Sequence, residues 1–186
     1  MMDMQSYSFN LAITLADIQA YFDLRHQIFV EEQGLFTSHS TSHLMSNEVD
    51  GLDAIAYPIV AKLQTQVVGV VRIYELQHKL WYGGRLGVHI DHRRAGKVGK
   101  GLIHQAVTTA HGWGCDRFLA TVQPQNVRFF QRLHWRSLEE VHLCGLAHSL
   151  MEADLDFYPP GFSDRPHLQS LGFQPSIRQP PLKEAS

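Results

Sequence analysis

Cysteine, long apolar runs and an excess of either charge are all scarce in this sequence. Only two cysteines, Cys115 and Cys144, occur in 186 residues. A lone pair cannot build a disulfide framework and reads as free thiols in a reducing compartment, so a cytoplasmic location is expected. No apolar run approaches the roughly 18 residues that suggest a membrane-spanning helix. The first ten residues carry Asp3 and lack the basic-then-apolar order of a signal peptide. Acidic and basic residues nearly balance, with a net charge of -2, which excludes a general electrostatic attraction to nucleic acid or anionic membrane. There are no internal repeats. What remains is the composition of an ordinary globular chain, 44% hydrophobic and 18% charged, long enough to bury one sizeable core.

Histidine is the exception to this scarcity, with twelve residues. The two close pairs do not have metal-site spacing. His39 and His43 stand four apart in Ser/Thr-rich sequence, and His89 and His92 stand at a strand end with no nearby cysteine. A closed structural site needs about four ligands, and no metal is expected.

Hydrophobic spacing gives a mixed α/β order. Ile18, Phe22, Arg25 and Phe29 recur at three or four residues and predict a helix from Leu15 to Gln33, closed by Gly34. Thr37 to Asn47 reads as a loop. Strands are predicted at Ala54–Leu63, Val67–Tyr74 and about Leu80–Ile90. Pro58 marks the first as an edge or bulged strand, and Gly83-Gly84 mark a bulge or close approach in the third. An amphipathic helix follows through Val98, Leu102, Ile103, Ala106, Val107 and Ala110, ended by Gly112 and Gly114. Then come a short strand at Phe118–Gln123, a short helix opened by Pro124, and a hairpin around Gly145. From Pro159 the chain holds six of its eight prolines and little periodicity. Residues 1–158 are therefore read as one domain, and residues 159–186 as an extended Pro-rich tail.

The chemistry lies in the run Leu86-Gly87-Val88-His89-Ile90-Asp91-His92-Arg93-Arg94-Ala95-Gly96-Lys97-Val98-Gly99-Lys100-Gly101. A strand delivers the chain into a turn bearing three glycines and four basic residues, and a helix starts within it. Free amides at a helix N-terminus bind anionic oxygen, and glycine lets the backbone come close, so the run predicts a phosphate or pyrophosphate site. It is not a P-loop: Gly99-Lys100 is followed by Gly101, not by a metal-binding hydroxyl, and Arg94 stands at the first glycine's place. Nor is it a dinucleotide fingerprint, since Gly96-x-x-Gly99-x-Gly101 reverses the required glycine spacing.

The run resembles instead the phosphate motif of the GNAT (N-acetyltransferase) superfamily, Arg/Gln-x-x-Gly-x-Gly/Ala after a Leu-x-Val strand. Leu86-x-Val88 and Arg93-x-x-Gly96 keep that register. The next family position is Val98, with Gly99 one further on, as if one residue were inserted. Leu24 to Gly34 is similar to the first-helix signature of an ElaA-type branch, and Gly145-Leu-Ala-His148 to that branch's late hairpin. Pro124 through Trp135 is similar to the family's Asn-x-x-Ala-x-x-Phe-Tyr segment. The run from Trp81 to Gly99 looks most like a subfamily associated with bacterial nitrogen-starvation gene clusters.

The resemblance implies an α/β (α+β) acyl-CoA N-acyltransferase fold, with a mostly antiparallel, splayed sheet flanked by helices. It implies acetyl-CoA, or another acyl-CoA, as co-substrate and a small-molecule amine as acceptor. The cofactor contacts it implies are Val88, His89 and Ile90 for the pantetheine arm. Arg93, Arg94, Gly96, Lys97, Val98, Gly99, Lys100 and Gly101 would hold the phosphates, with Asn126 and Phe130 beyond. Phe130 stands where the family's acid is a tyrosine, so no side chain there can protonate the leaving thiolate. For the base, counting back from Val88 gives Tyr82, with Glu75, Glu32 and His148 as further candidates. Arg25, Phe29, Arg72 and Arg85 are expected on the acceptor side, with Arg72 needing an acidic partner such as Asp50, Asp53 or Glu75. Two other readings stay open: a longer-chain acyltransferase resembling acyl-homoserine-lactone synthases, and a catalytically silent acyl-CoA-binding module. Either the Ser/His-rich loop or the tail could serve a homodimer contact.

Overall fold

A computed structural model describes residues 6–34, 48–143 and 145–168. The predicted loop through Asn47, Cys144 and the tail beyond Leu168 fall outside the described residues, and with them His39 and His43.

Seven strands form one sheet in the order β1-β2-β3-β4-β5-β7-β6. They are β1 (Tyr7–Leu11), β2 (Tyr57–Leu63), β3 (Gln66–Gln77), β4 (Leu80–Val88), β5 (Arg117–Val122), β6 (Trp135–Leu143) and β7 (Leu146–Ala153). Helix α1 (Leu15–His26) covers one face, while α2 (Lys97–Gly112) and the short α3 (Val127–Arg132) cover the other. Every pairing is antiparallel except β4 with β5. This is the mostly antiparallel α/β architecture expected.

Strand β1 was not expected. Its alternation of Tyr7, Phe9 and Leu11 is a half-buried strand pattern over only five residues. By pairing with β2 it removes β2 from the edge; β2 is a bulged strand, the other alternative that Pro58 offered. The proline stands at the last rung beside β1: its carbonyl still accepts from the Ala12 N–H (2.8 Å), and its missing N–H omits only the ladder's final bond. The bulge in β2 lies at Ala61/Lys62 instead.

Helix α1 begins at Thr14, whose side-chain oxygen accepts a hydrogen bond from the Asp17 N–H (3.1 Å). It runs into a π-helical turn, Gln27–Glu32, in which the Gln33 N–H reaches the Ile28 carbonyl. Such insertions re-aim side chains and recur at functional sites. Here the turn lays Ile28 and Phe29 on Gly87, where a Cβ would stand 3.0 Å from Ile28 Cδ1. Helix α2 buries the stripe that its period predicts, Val98, Leu102, Ile103, Ala106, Val107 and Ala110. It sits close because Gly69 of β3 has no side chain: a Cβ there would lie 2.7 Å from Val98. Each valine, leucine or isoleucine so buried contributes about 1.5–3 kcal/mol before entropy is counted.

Residues 159–168 are extended but held. The Gly161 N–H donates to the Thr108 carbonyl (2.7 Å), and Leu168 packs against the core. The free thiol of Cys115 is buried, and burial pushes its pKa up to about 12, so it is chemically quiet.

Candidate functional site

Strand β4 carries the site. Its parallel register with β5 runs from Leu80↔Arg117 to Gly83↔Ala120 and stops there. Strand β5 continues beside β7 as far as Val122↔Ser149, while β4 continues beside β3 as far as Val88↔Gly69. The two strands therefore part, and the sheet opens into a wedge. Just past the last β4–β5 pair, β4 holds one residue too many opposite β3: Val70 faces Gly87, but Arg72 faces Gly84. Arg85 sits in that bulge at φ +53°, a left-handed conformation rare for a non-glycine residue.

The wedge opens a cleft of about 1020 Å³, lined on one side by Leu86, Gly87 and Val88 and on the other by Gln123 to Asn126, Phe129, Phe130 and Leu146 to His148. The N–H of His89 is bonded to the Val68 carbonyl on β3 (2.9 Å). Backbone direction alternates along a strand, so the polar groups of Val88 face the open wedge. Its carbonyl accepts from Arg93 Nε (2.7 Å), and Arg93 also pairs with Glu32 at the end of the π turn. Arg93 thus ties the strand end to the first helix.

At the wide end, α2 presents its N-terminus. Gly96 is its N-cap in the left-handed region (φ +64°), and no side chain caps the first turn. Gly96 and Gly99 both face Phe129: a Cβ on Gly96 would stand 3.1 Å from that ring, and one on Gly99 3.6 Å. Uncapped amides, a helix dipole and two glycines at a cleft wall are the physical requirements of a phosphate cradle. Exposed Arg94, Lys97 and Lys100 surround it.

Several expected cofactor contacts lie elsewhere. Val98 is core, packed on Gly69. Gly101 faces β1, where a Cβ would fall 2.1 Å from the Phe9 ring. His89 turns its Nδ1 to the Asp91 N–H (3.3 Å), and Ile90 is exposed outside the cleft. Adding a methyl in Gly101→Ala is expected to destabilise by about 1–3 kcal/mol through overpacking against β1, with the ligand affinity of the folded fraction unchanged. Thermal melts beside a ligand titration check this; lost affinity with an unchanged melt would return Gly101 to the cleft.

Among the proposed bases, only His148 lines the cleft, its Nδ1 2.9 Å from the Leu146 carbonyl. Glu32 stands at the rim, paired with Arg93. Tyr82 is outside the lining and stacks on Tyr74, with centroids 5.9 Å apart and planes at 12°. Glu75 is remote. Burial acts to raise its pKa, but the Lys79 N–H and Arg165 outweigh it and hold the carboxyl below its ordinary value. A depressed carboxylate bound by two donors makes a poor base.

The residues expected on the acceptor side form a network instead of an open set of charges. Arg25 is fully buried. It pairs with Glu48, bonds Asp53 (2.7 Å) and donates to the Tyr21 hydroxyl (3.0 Å). Arg72 bonds both carboxylate oxygens of Asp50 (2.7 and 2.9 Å) and also pairs with Asp53 (2.8 Å). Arg85 reaches Asp50 (3.1 Å) and the Glu48 carbonyl (3.2 Å). Three guanidiniums thus meet three carboxylates. Burial pushes the Tyr21 pKa up to about 12, so its hydroxyl stays protonated. Arg25 and Arg72 are consumed by this lattice, whereas Arg85 keeps partial exposure. Phe29 is buried against Gly87. The partners foreseen for Arg72 include the correct pair, Asp50 and Asp53. Glu48, Phe129 and the cleft-lining Gln33, Gln123 and Gln125 were not foreseen; the acidic spacing Glu48-x-Asp50-x-x-Asp53 was the available signal for the first. Among the described residues, no three His, Cys, Asp or Glu side chains converge as a metal site, and no helix is long and apolar enough to cross a membrane.

A family model described as the acetyltransferase (GNAT) family matches residues 21–135. Solved structures share the fold at low identity. A Lactobacillus plantarum protein assigned as an N-acetyltransferase superposes at TM-score 0.68 with 20% identity, over 80% of this chain and 97% of its own. Escherichia coli ElaA superposes at TM-score 0.61 with 18% identity, over 81% and 100%. FeeM, an N-acyl amino acid synthase from uncultured soil microbes, superposes at TM-score 0.62 with 11% identity, over 81% and 92%. No curated protein matches the sequence significantly.

Proposed function

The chain belongs to the GNAT family of acetyltransferases, and from that premise we propose that its wedge binds acyl-CoA and passes the acyl group, acetyl first of all, to the primary amine of a small-molecule acceptor. The observation that carries this reading is the parting of β4 from β5 after Gly83↔Ala120, with the uncapped N-terminus of α2 at the wide end. Acyl-CoA bound there supplies a thioester carbonyl for the amine to attack, the C–N bond forming as the C–S bond breaks.

The residues divide the work. The amides of residues 97–100 hold the pyrophosphate, and Lys97, Lys100 and Arg94 add screening charge. The open edge of Val88 receives the pantetheine amide. Asn126, just before α3, and Phe130 on it flank the arm, Phe130 by packing alone. His148 takes the proton from the attacking amine, directly or through one water. A coenzyme A thiolate can leave without full protonation, so Phe130 in place of the family's tyrosine is compatible with turnover.

Calorimetric titration of acetyl-CoA, followed by an amine panel with a thiol-release readout, tests the proposal. Saturable binding and acceptor-dependent thiol release are expected. Binding without release across the panel would instead favour a silent acyl-CoA-binding module. His148→Ala is expected to lower kcat/KM by about 100-fold or more at neutral pH with acetyl-CoA affinity kept; an unchanged rate would remove His148 as the base. The apolar wall of Ile28, Leu86, Phe129, Phe130 and Leu146 favours a second reading, a longer acyl chain. Competition between acetyl-CoA and longer acyl-CoAs decides between the two.

A further inference from the structure

At the end of the sheet away from the cleft, three aromatic rings from three elements converge. Tyr57 opens β2, Trp81 lies near the start of β4, and Trp113 follows α2. Their centroids are 4.8 Å (Tyr57–Trp113), 5.6 Å (Trp81–Trp113) and 6.2 Å (Tyr57–Trp81) apart. The guanidinium of Arg165 stands over all three, 4.9 Å from Trp81, 5.4 Å from Tyr57 and 5.8 Å from Trp113. Its edges are also satisfied: Nη2 meets Glu75 Oε2 at 2.9 Å, and Nε donates to the Tyr57 hydroxyl at 3.0 Å.

Aromatic faces attract a cation, and a carboxylate with a hydroxyl set at two edges selects a planar, N–H-bearing one. The backbone on either side is tied down to deliver it. The Gly161 N–H bonds the Thr108 carbonyl, and the Trp113 indole N–H bonds the Ser163 carbonyl (2.6 Å). Gly161 also fits against Gly112 so closely that a Cβ on Gly112 would fall 2.1 Å from the Gly161 carbonyl oxygen. Beyond Arg165, Leu168 reaches the α1 side, beside Ile18 and Phe22. The segment thus passes from the α2 face to the α1 face across the sheet's closed end.

We propose that Tyr57, Trp81 and Trp113, with the Glu75 carboxylate, form a binding site for a guanidinium group, which the chain fills with its own Arg165 so that residues 159–168 act as a clasp on the unsplit end of the sheet. Trp81 is fully buried beneath it. The clasp holds together the starts of β2, β4 and the C-terminus of α2, the region from which the wedge diverges. The inference stands apart from the acyltransferase reading, since nothing in the site touches the cleft.

The test is chemical replacement of the missing group. Arg165→Ala is expected to lower Tm by roughly 4–8 °C and to shift tryptophan emission to the red as Trp81 meets water. Methylguanidinium at millimolar concentration is then expected to reverse both changes saturably in Arg165→Ala and to leave the wild type unchanged. Methylurea, its neutral and nearly isosteric counterpart, is expected to do neither. Arg165→Ala with wild-type melting and emission overturns the proposal. So does a response to methylguanidinium that is absent in the variant, shared by the wild type, or reproduced by methylurea.

Discussion

Replacing Gly99 by aspartate is expected to abolish acetyl-CoA binding in a protein that stays folded. Gly99 is the third residue of α2, and the Phe129 ring lies 3.6 Å from where a Cβ would stand, so a Cβ is accepted in ordinary contact and the cleft that Gly99 lines leaves room for the carboxylate. An acidic residue in a helix's first turn is stabilising, because it meets the free amides and the positive end of the dipole. Those are the groups the pyrophosphate needs. A carboxylate about 5 Å from a phosphate, at an effective dielectric near 20, opposes binding by about 3 kcal/mol per charge pair, more than 100-fold in Kd. The control is Gly99→Ala, which adds bulk without charge and is expected to cost at most roughly tenfold. Calorimetric titration of both variants reads the difference. Wild-type affinity in Gly99→Asp would move the phosphates off the α2 N-terminus and remove the basis for the wedge as the cofactor site.

The largest expected loss of stability comes from the buried charge lattice. Asp53→Ala leaves Arg25 and Arg72 buried with one carboxylate fewer, and Arg25 has no access to solvent. Removing one partner from a buried pair costs about 3–5 kcal/mol, and for a chain of this size each kcal/mol lowers Tm by roughly 2–4 °C. The same lattice sets an acid limit. Burial acts to raise the pKa of Asp53, but the hydrogen bond and charge of Arg25 outweigh it, so the carboxyl titrates below its ordinary value. Asp50 is held low in the same way, burial being overcome by Arg72 and then Arg85. A carboxyl whose folded pKa lies below its unfolded one, near 4, contributes stability in full above that pH and loses it as pH falls through the folded value. Wild-type Tm is therefore expected to fall steeply below about pH 4, and Asp53→Asn to start lower but fall less steeply. Parallel acid limbs in the two proteins would show that Asp53 is not titrating in the lattice.

Much of the fold was legible because it rests on local period. The stripe of α2, the strands β3 and β4 and the glycine turn all follow from side chains a few residues apart, and the turn's register carried the family resemblance from Leu86 to Gly96. Five-residue β1 was illegible by contrast, because Tyr7, Phe9 and Leu11 gain their meaning only from the β2 edge that they cover. The turn's three glycines differ in role: Gly96 and Gly99 line the cleft, while Gly101 makes room for Phe9. A glycine in sequence says that space is needed but not for what.

The sequence by itself determined the α/β class, the glycine-rich turn that opens α2 and the absence of a tyrosine at Phe130, since each is a property of contiguous residues obeying backbone geometry. Tertiary structure alone decided which candidates meet. It brought His148 from β7 into the cleft and left Tyr82 and Glu75 outside it. It locked Arg25 and Arg72 to acids 19 to 28 positions away, and it set Arg165 on rings contributed by three separate parts of the chain. The physical reason is that reach along a chain fixes period and turn. Which groups share a cavity depends on where the strands part, and that in turn depends on one pairing ending at Gly83 and Ala120.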